Sequence, residues 1–119
     1  MRLNVFITGP YAPLRLPQRS TRENILLAEE CAIWCWNNGF NAICPHLNTR
    51  DFHLTTTIQD SIYLDFYLDL IKSNFIQMLV HLPNWQDSKG SRTESALARQ
   101  LSIPRFQWTP NSSTLTIIK

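Results

Sequence analysis

The chain alternates short apolar runs that favour β-strands with longer segments whose apolar spacing favours helices, and this alternation limits the possible folds. Strands are predicted at residues 3–8, 40–44, 75–82 and 103–108, and the β-prone tail at 114–118 can add an edge strand. Strands that alternate with helices require right-handed crossovers and a parallel sheet covered on both faces. We therefore predict a single domain over residues 1–119, an α/β fold with a small doubly wound parallel sheet and flavodoxin-like strand order.

Three segments are predicted to be helices. The run Ser20-Thr21-Arg22-Glu23 is a capping-box pattern, and a helix is expected from there to Asn38-Gly39. A second helix is expected from Thr56 or Thr57 to about Lys72, and a third over residues 91–101. The second helix has apolar residues at a spacing of four, namely Ile58, Ile62, Phe66 and Leu70.

Composition excludes several classes of function. The net charge of +2 comes from scattered Lys and Arg, so a polymeric nucleic acid is not an expected partner. No apolar run approaches the roughly 20 residues of a membrane span, and the N-terminus lacks signal-peptide features, so no membrane and a cytoplasmic location are predicted. Cys31, Cys35 and Cys44 are expected to pack in the core. Since no cluster has the spacing of zinc ligands, no metal and no cofactor are predicted.

Turn and polar residues gather at the carboxyl ends of three predicted strands, where ligands of such sheets bind. These segments are residues 8–11, residues 45–49 and the loop 83–94. In that loop Gly90 allows close approach of a ligand, and the free N–H groups of the following helix favour an anion. Glu94 adds a carboxylate. We therefore expect chemistry on a phosphorylated or sugar-like small molecule.

Taken together, these segments resemble the nucleoside 2-deoxyribosyltransferase-like superfamily. The likeness is closest to its short bacterial and phage branch, near the 2′-deoxynucleoside 5′-monophosphate N-glycosidases. It spans residues 3 to about 106. It rests on residues 6–11, 22–25, 43–49, 82–85 and 88–91, together with Glu94.

The resemblance implies an enzyme that cleaves the N-glycosidic bond of a nucleoside 5′-monophosphate or related nucleotide. It implies that Glu94 is the nucleophile of a retaining mechanism with a covalent sugar ester, and that Tyr11 positions Glu94. It also implies a small-molecule partner and a homodimer or larger homo-oligomer. The substrate-binding residues expected on this basis are Thr8, Gly9, Pro10, His46, Ser88, Lys89, Gly90 and Ser91.

The sequence departs from the family pattern at two positions. Transferases of the family usually carry an aspartate six residues before the nucleophile, whereas the monophosphate hydrolases have serine there, as Ser88 is here. This favours a hydrolase over a transferase. A further family aspartate, which would protonate the base, falls on Tyr67, and Asp69 can serve only if the register slips.

Simpler interpretations of the same residues stay open. The segment Ser91-Arg92-Thr93-Glu94 is itself a capping box, in which Glu94 reaches back to the backbone of Ser91. Ser88 can be only a helix cap, Tyr11 ordinary packing, and His46 a surface residue instead of a contact to base or phosphate. Trp85 can stack on a base or cover a subunit interface, and Arg15, Arg19 and Arg22 can reach a phosphate or be merely solvated.

Two further functions remain as alternatives to the glycosidase. One is a nucleoside 2-deoxyribosyltransferase, and the other is a non-catalytic module that binds or sequesters a nucleotide. A scaffold protein that inherited the fold is a third possibility, since fold does not fix function.

Overall fold

A five-stranded sheet forms the centre of the molecule in the computed structural model, which describes residues 2–12 and 19–119. The strands are β1 (Leu3–Thr8), β2 (Phe40–Ile43), β3 (Met78–His81), β4 (Arg105–Thr109) and β5 (Thr114–Ile118). Their order in the sheet is β2-β1-β3-β4-β5. The first four strands are parallel, which confirms the predicted α/β class. β5 is antiparallel to β4, so the sheet is mixed and not wholly parallel, because the short connection after β4 allows only a hairpin.

Within the described residues, four α-helices pack around the sheet. They are α1 (Thr21–Asn37), α2 (Pro45–Asn48), α3 (Asp60–Lys72) and α4 (Lys89–Gln100), with short 3₁₀ turns at Phe52–Leu54 and Trp85–Asp87. The predicted capping box of α1 is present, since the Ser20 hydroxyl accepts from the Glu23 N–H and the Glu23 carboxylate accepts from the Ser20 N–H. Among the helices of residues 2–12 and 19–119, none has the length and apolarity needed to cross a membrane.

Several helix boundaries differ from the predicted ones. α2 occupies part of the segment expected to be a polar loop, because Pro45 at the first helical position is pre-set for a helix. α3 begins at Asp60, not at Thr56 or Thr57. α4 begins at Lys89, two residues before the predicted start, because Ser88 and not Ser91 caps it.

Apolar side chains pack on both faces of the sheet. Val5 and Ile7 point towards α1 and are completely buried with Ala28. Phe6 and Leu79 point to the opposite face and pack against residues of α3 and α4, including Tyr67, Ile71 and Ala98. The two-residue period of β1 thus divides its side chains between two cores.

The buried face of α3 is not the stripe that the spacing of four suggested. Ile58, Ile62 and Phe66 are about half exposed, whereas Tyr67 and Ile71 are buried. Apolar and aromatic residues occur all around this helix, so spacing alone cannot select the face that packs on the sheet. Ile58, just before α3, and Ile62 and Phe66 on α3 form an exposed apolar stripe.

Gly9 is required where β1 leaves the sheet. A Cβ built on Gly9 would lie 2.5 Å from the Cβ of Leu82, too close for any real contact. We predict that Gly9→Ala lowers the free energy of unfolding by about 1–3 kcal/mol, because the neighbouring chain must move.

Gly90→Ala is the matched control, measured by urea unfolding. A Cβ at Gly90 would meet only Leu64 Cδ1, at 3.9 Å, so stability should stay the same or rise by up to about 1 kcal/mol. Equal loss of stability in both variants would contradict this account.

Candidate active site

A cavity of about 650 Å³ opens at the carboxyl ends of β1 and β2 and at the start of α4. The three segments expected to meet there all line it. They contribute Gly9, Tyr11 and Ala12 after β1, Pro45, His46 and Thr49 around α2, and Ser88, Gly90, Ser91 and Glu94 from the start of α4. The volume lies in the range of small-molecule sites.

Glu94 is the buried carboxylate of this cavity. Its side chain is 8% exposed, and the Thr8 hydroxyl donates a hydrogen bond of 2.6 Å to Oε1. Burial raises the pKa of Glu94 to about 7, although the Thr8 hydrogen bond acts in the opposite direction. One oxygen is therefore fixed by the end of β1, and the group is poised to exchange a proton near neutral pH.

The helix start excludes the simple capping role for Glu94. Ser88 is the N-cap of α4, and its hydroxyl accepts from the Ser91 N–H at 3.3 Å. Glu94 consequently lies in the second turn and not in the first, where a capping glutamate would have to be. Its carboxylate bonds Thr8 instead of the α4 backbone.

The first turn of α4 faces the cavity with small residues. Ser88, Gly90 and Ser91 all line the cavity, and a Cβ built on Gly90 would contact only Leu64 Cδ1, at 3.9 Å. Ser91 Oγ is buried and has no hydrogen-bond partner within residues 2–12 and 19–119. The unpaired N–H groups of a first helical turn favour an anion at this position.

His46 is buried beside the same cavity, not on the surface. Its Nε2 lies 2.7 Å from the carbonyl oxygen of Pro10, and because a carbonyl can only accept, Nε2 carries the proton. Burial lowers the pKa of His46, so the ring is neutral at neutral pH. Pro10 therefore serves the site through its backbone, by orienting His46.

Tyr11 holds the wall of the cavity in place. Its hydroxyl accepts from the Asp51 N–H at 2.7 Å, and its ring meets the His46 ring edge to face at 5.7 Å. The hydrogen bond that orients Glu94 comes from Thr8, which was expected only to bind substrate. Thr8 thus bonds Glu94 directly, and the positioning function of Tyr11 stays a prediction.

The structure does not bring Asp69 or Lys89 to the cavity. Asp69 is exposed on α3, while Tyr67 is buried and lines the cavity. Residues two positions apart on an α-helix point about 200° away from each other. Because Tyr67 faces the cavity, Asp69 faces the opposite side of α3. Lys89 lines a separate cleft between α3 and α4.

α3 supplies cavity residues that the sequence did not single out. Asp60, Tyr63 and Tyr67 all line the cavity, and the Tyr67 hydroxyl accepts from Asn48 Nδ2 at 2.9 Å. Asp60 is the first residue of α3. Because the helix was predicted to begin at Thr56 or Thr57, Asp60 was expected inside the helix and not at its start. An acidic residue at a helix start next to polar turns was the available signal.

Trp85, Arg19 and Arg22 do not line the cavity that contains Glu94. Trp85 donates from Nε1 to Gln107 and packs on His81, on the far side of α4 from Glu94. Arg19 donates to Asn24 and to the carbonyl oxygen of Pro83, so it joins α1 to the loop after β3. Arg22 is exposed on α1, and Arg15 lies outside the described residues.

The cysteine thiols do not form part of the cavity lining. Cys31, Cys35 and Cys44 are buried free thiols. Within the described ranges, His, Cys, Asp and Glu side chains form no group of three or more that could hold a metal ion.

The raised pKa of Glu94 predicts a pH-dependent stability. Between the ordinary pKa of 4.5 and the folded value of about 7, the unfolded chain loses the proton while the folded chain keeps it. Stability therefore falls as pH rises through this window, by about 3 kcal/mol. Urea unfolding at pH 5 and pH 8 should show this loss in the wild type relative to Glu94→Gln, which cannot ionise. Parallel pH profiles of the two proteins would contradict it.

No protein-family model matches the chain, and no curated protein matches its sequence. A function is therefore inferred from the residues that line the cavity with Glu94 and from their geometry.

Proposed function

We propose that the protein is an N-glycosidase that cleaves the bond between base and sugar in a nucleoside 5′-monophosphate, with Glu94 as nucleophile. The observation that carries the proposal is the buried Glu94 carboxylate, bonded through one oxygen to Thr8 in a cavity at the carboxyl edge of the sheet. On this proposal the chain belongs to the nucleoside 2-deoxyribosyltransferase-like superfamily. The fold is then a doubly wound, flavodoxin-like sheet, for which the strand order 2-1-3-4-5 is the supporting observation.

The reaction proceeds in two steps on this proposal. Oε2 of ionised Glu94 attacks the anomeric carbon, the carbon–nitrogen bond breaks, and its electron pair leaves with the base. Water then attacks the anomeric carbon of the sugar ester, loses a proton and frees the carboxylate. Because Thr8 holds Oε1, the other oxygen stays available for attack.

The start of α4 is proposed to bind the 5′-phosphate. Ser88, Gly90 and Ser91 line the cavity beside Glu94, where the helix N-terminus favours negative charge. Serine at position 88 adds no negative charge, whereas the aspartate usual in transferases would repel a phosphate. This favours a monophosphate hydrolase over a transferase.

Asp60 is proposed to protonate the departing base in place of Asp69. It is the second carboxylate among the described residues that line the cavity, and it comes from α3, a different element from α4. Glycosidic cleavage generally uses two carboxyl groups, one as nucleophile and one as acid. Asp60 has the chemistry for the second role.

A nucleotide-binding module without catalysis is the second candidate. The high pKa of Glu94 favours it, because at pH 7 the ionised nucleophile is only part of the population. Such a module would bind a nucleotide in the same cavity and release no base.

The protein is further proposed to act in the cytoplasm as a homodimer or larger homo-oligomer. The apolar stripe is exposed, with Ile58 just before α3 and Ile62 and Phe66 on α3, the helix that also lines the cavity. A second copy packed on this stripe would remove it from water and lie beside the site.

We predict that the wild type releases free base from at least one ribo- or deoxynucleoside 5′-monophosphate, followed by chromatography. Glu94→Gln keeps the shape of the side chain but not the nucleophile, so the rate should fall by a factor on the order of 10⁴. Wild-type activity should rise as pH increases through about 7, where Glu94 ionises. Base release that persists in Glu94→Gln would refute the mechanism, and silence with tight binding of one nucleotide would favour the binding module.

Two variants of Ser88 test the phosphate contact without removing the helix cap. Asn and Asp cap a helix about as well as Ser, so both proteins should fold normally. Ser88→Asp should raise KM for the monophosphate about ten-fold or more through charge repulsion, with little change for the matching nucleoside. Ser88→Asn is the neutral control, and an equal effect of both variants on both substrates would argue against a phosphate at this helix start.

A further inference from the structure

A second cleft, of about 540 Å³, lies along the outer side of α4. It is lined by three arginines, Arg92, Arg99 and Arg105, together with Trp85, Gln86 and Gln100. It shares no lining residue with the cavity that contains Glu94. α4 therefore separates two concave surfaces, one with a buried carboxylate and one rich in cations.

Among residues 2–12 and 19–119, no Asp or Glu side chain pairs with the arginines of this cleft. None of the lining residues is acidic, and among residues 2–12 and 19–119 the one ion pair joins Arg50 to Asp51, elsewhere. Between residues 89 and 119 the sequence has five basic residues and one acidic residue, and the acidic one is Glu94 on the other side of α4. A concave wall of like charges concentrates the field and attracts anions.

Two of the guanidinium groups are held in place by the protein. Arg105 donates from Nη1 to Ser95 Oγ at 3.0 Å and from Nη2 to the Lys119 carbonyl oxygen at 3.3 Å. Arg92 donates from Nη1 to the Gln86 carbonyl oxygen at 2.7 Å. Each group has five N–H donors, so donors remain for a ligand. Arginines anchored in this way lose less freedom when they bind an anion.

Arg105 is hydrogen-bonded to Ser95, which is in turn hydrogen-bonded to His81, and this buried histidine adds no positive charge to the cleft. Buried His81 donates from Nδ1 to the Phe106 carbonyl oxygen and accepts at Nε2 from the Ser95 hydroxyl, which in turn accepts from Arg105. Burial is the main cause that lowers the pKa of His81 to about 4, and the nearby Arg105 contributes. The floor is thus neutral, and the cationic groups are the arginines of the wall and rim.

We propose that this cleft binds a phosphate-bearing small molecule with two or more negative charges, at a site separate from the candidate active site. Arginine forks match phosphate oxygens in two-point contacts, and three arginines at one cleft exceed what a single negative charge needs. The volume fits a small ligand. All three arginines line one concave cleft, and the adjoining cleft that contains Lys72 and Lys89 shares only Arg92 of the three, which favours a compact ligand over a nucleic-acid strand.

Pyrophosphate is the probe for this proposal, titrated into ¹⁵N-labelled full-length protein by NMR and by calorimetry. Shifts are expected for backbone amides of residues 92–100 and for Arg105. Arg99→Gln should weaken binding about five-fold, the effect of losing one partly solvated ion contact. Arg99 is exposed and takes part in hydrogen bonds through its backbone carbonyl, which Arg99→Gln keeps, so the replacement should not disturb the fold.

Arg50→Gln is the charge-matched control, because it removes one positive charge elsewhere on the surface. Its affinity for pyrophosphate should equal that of the wild type. The proposal would be overturned if Arg50→Gln and Arg99→Gln weakened binding equally, or if shifts were confined to residues 88–91 at the candidate active site. Absence of saturable binding at millimolar pyrophosphate in low salt would also overturn it, as would a short single-stranded oligonucleotide that bound the cleft in its place.

Discussion

The hydrogen bond from the Thr8 hydroxyl to the Glu94 carboxylate links the end of the first strand to the second turn of α4, and the arrangement of the site depends on it. It fixes one carboxylate oxygen inside the protein, where burial raises the pKa to about 7. An ionised carboxylate in that position costs free energy, and the hydroxyl compensates only part of it. A buried carboxylate of this kind lowers the stability of the fold when it ionises, but it can exchange a proton near neutral pH. Residues with such shifted pKa values are common at functional sites.

The fold brings this pair together through two features of the strand ends. Gly9 lets the chain after β1 pass against Leu82 with no room for a side chain, so the segment that contains Tyr11 stays close to the start of α4. Ser88 caps α4 and so places Glu94 in the second turn, where its carboxylate accepts from Thr8. α4 then has two different sides, with the buried Glu94 facing the cavity and Arg92 and Arg99 facing the arginine-lined cleft.

The sequence predicted the α/β class, the elements of the sheet and the meeting of three polar segments, because strand and helix patterns are local and strand ends of a parallel sheet share one edge. It could not predict which residue caps α4, since both Ser88 and Ser91 are good caps. It also misplaced the face of α3, where aromatic residues surround the helix and tertiary packing selected Tyr67 over Phe66. The contact of Thr8 with Glu94 joins residues 86 positions apart and has no local signature.

The most direct test of the central claim is to trap the sugar on the protein. A 2′-fluorinated deoxynucleoside 5′-monophosphate slows the second step more than it prevents the first, because fluorine destabilises an oxocarbenium-like transition state. Intact-mass spectrometry after rapid acid quench should show the sugar phosphate added once per chain, and peptide mapping should place it on Glu94. Base release with no adduct at any time, or an adduct on another residue, would contradict the claim that Glu94 is the nucleophile.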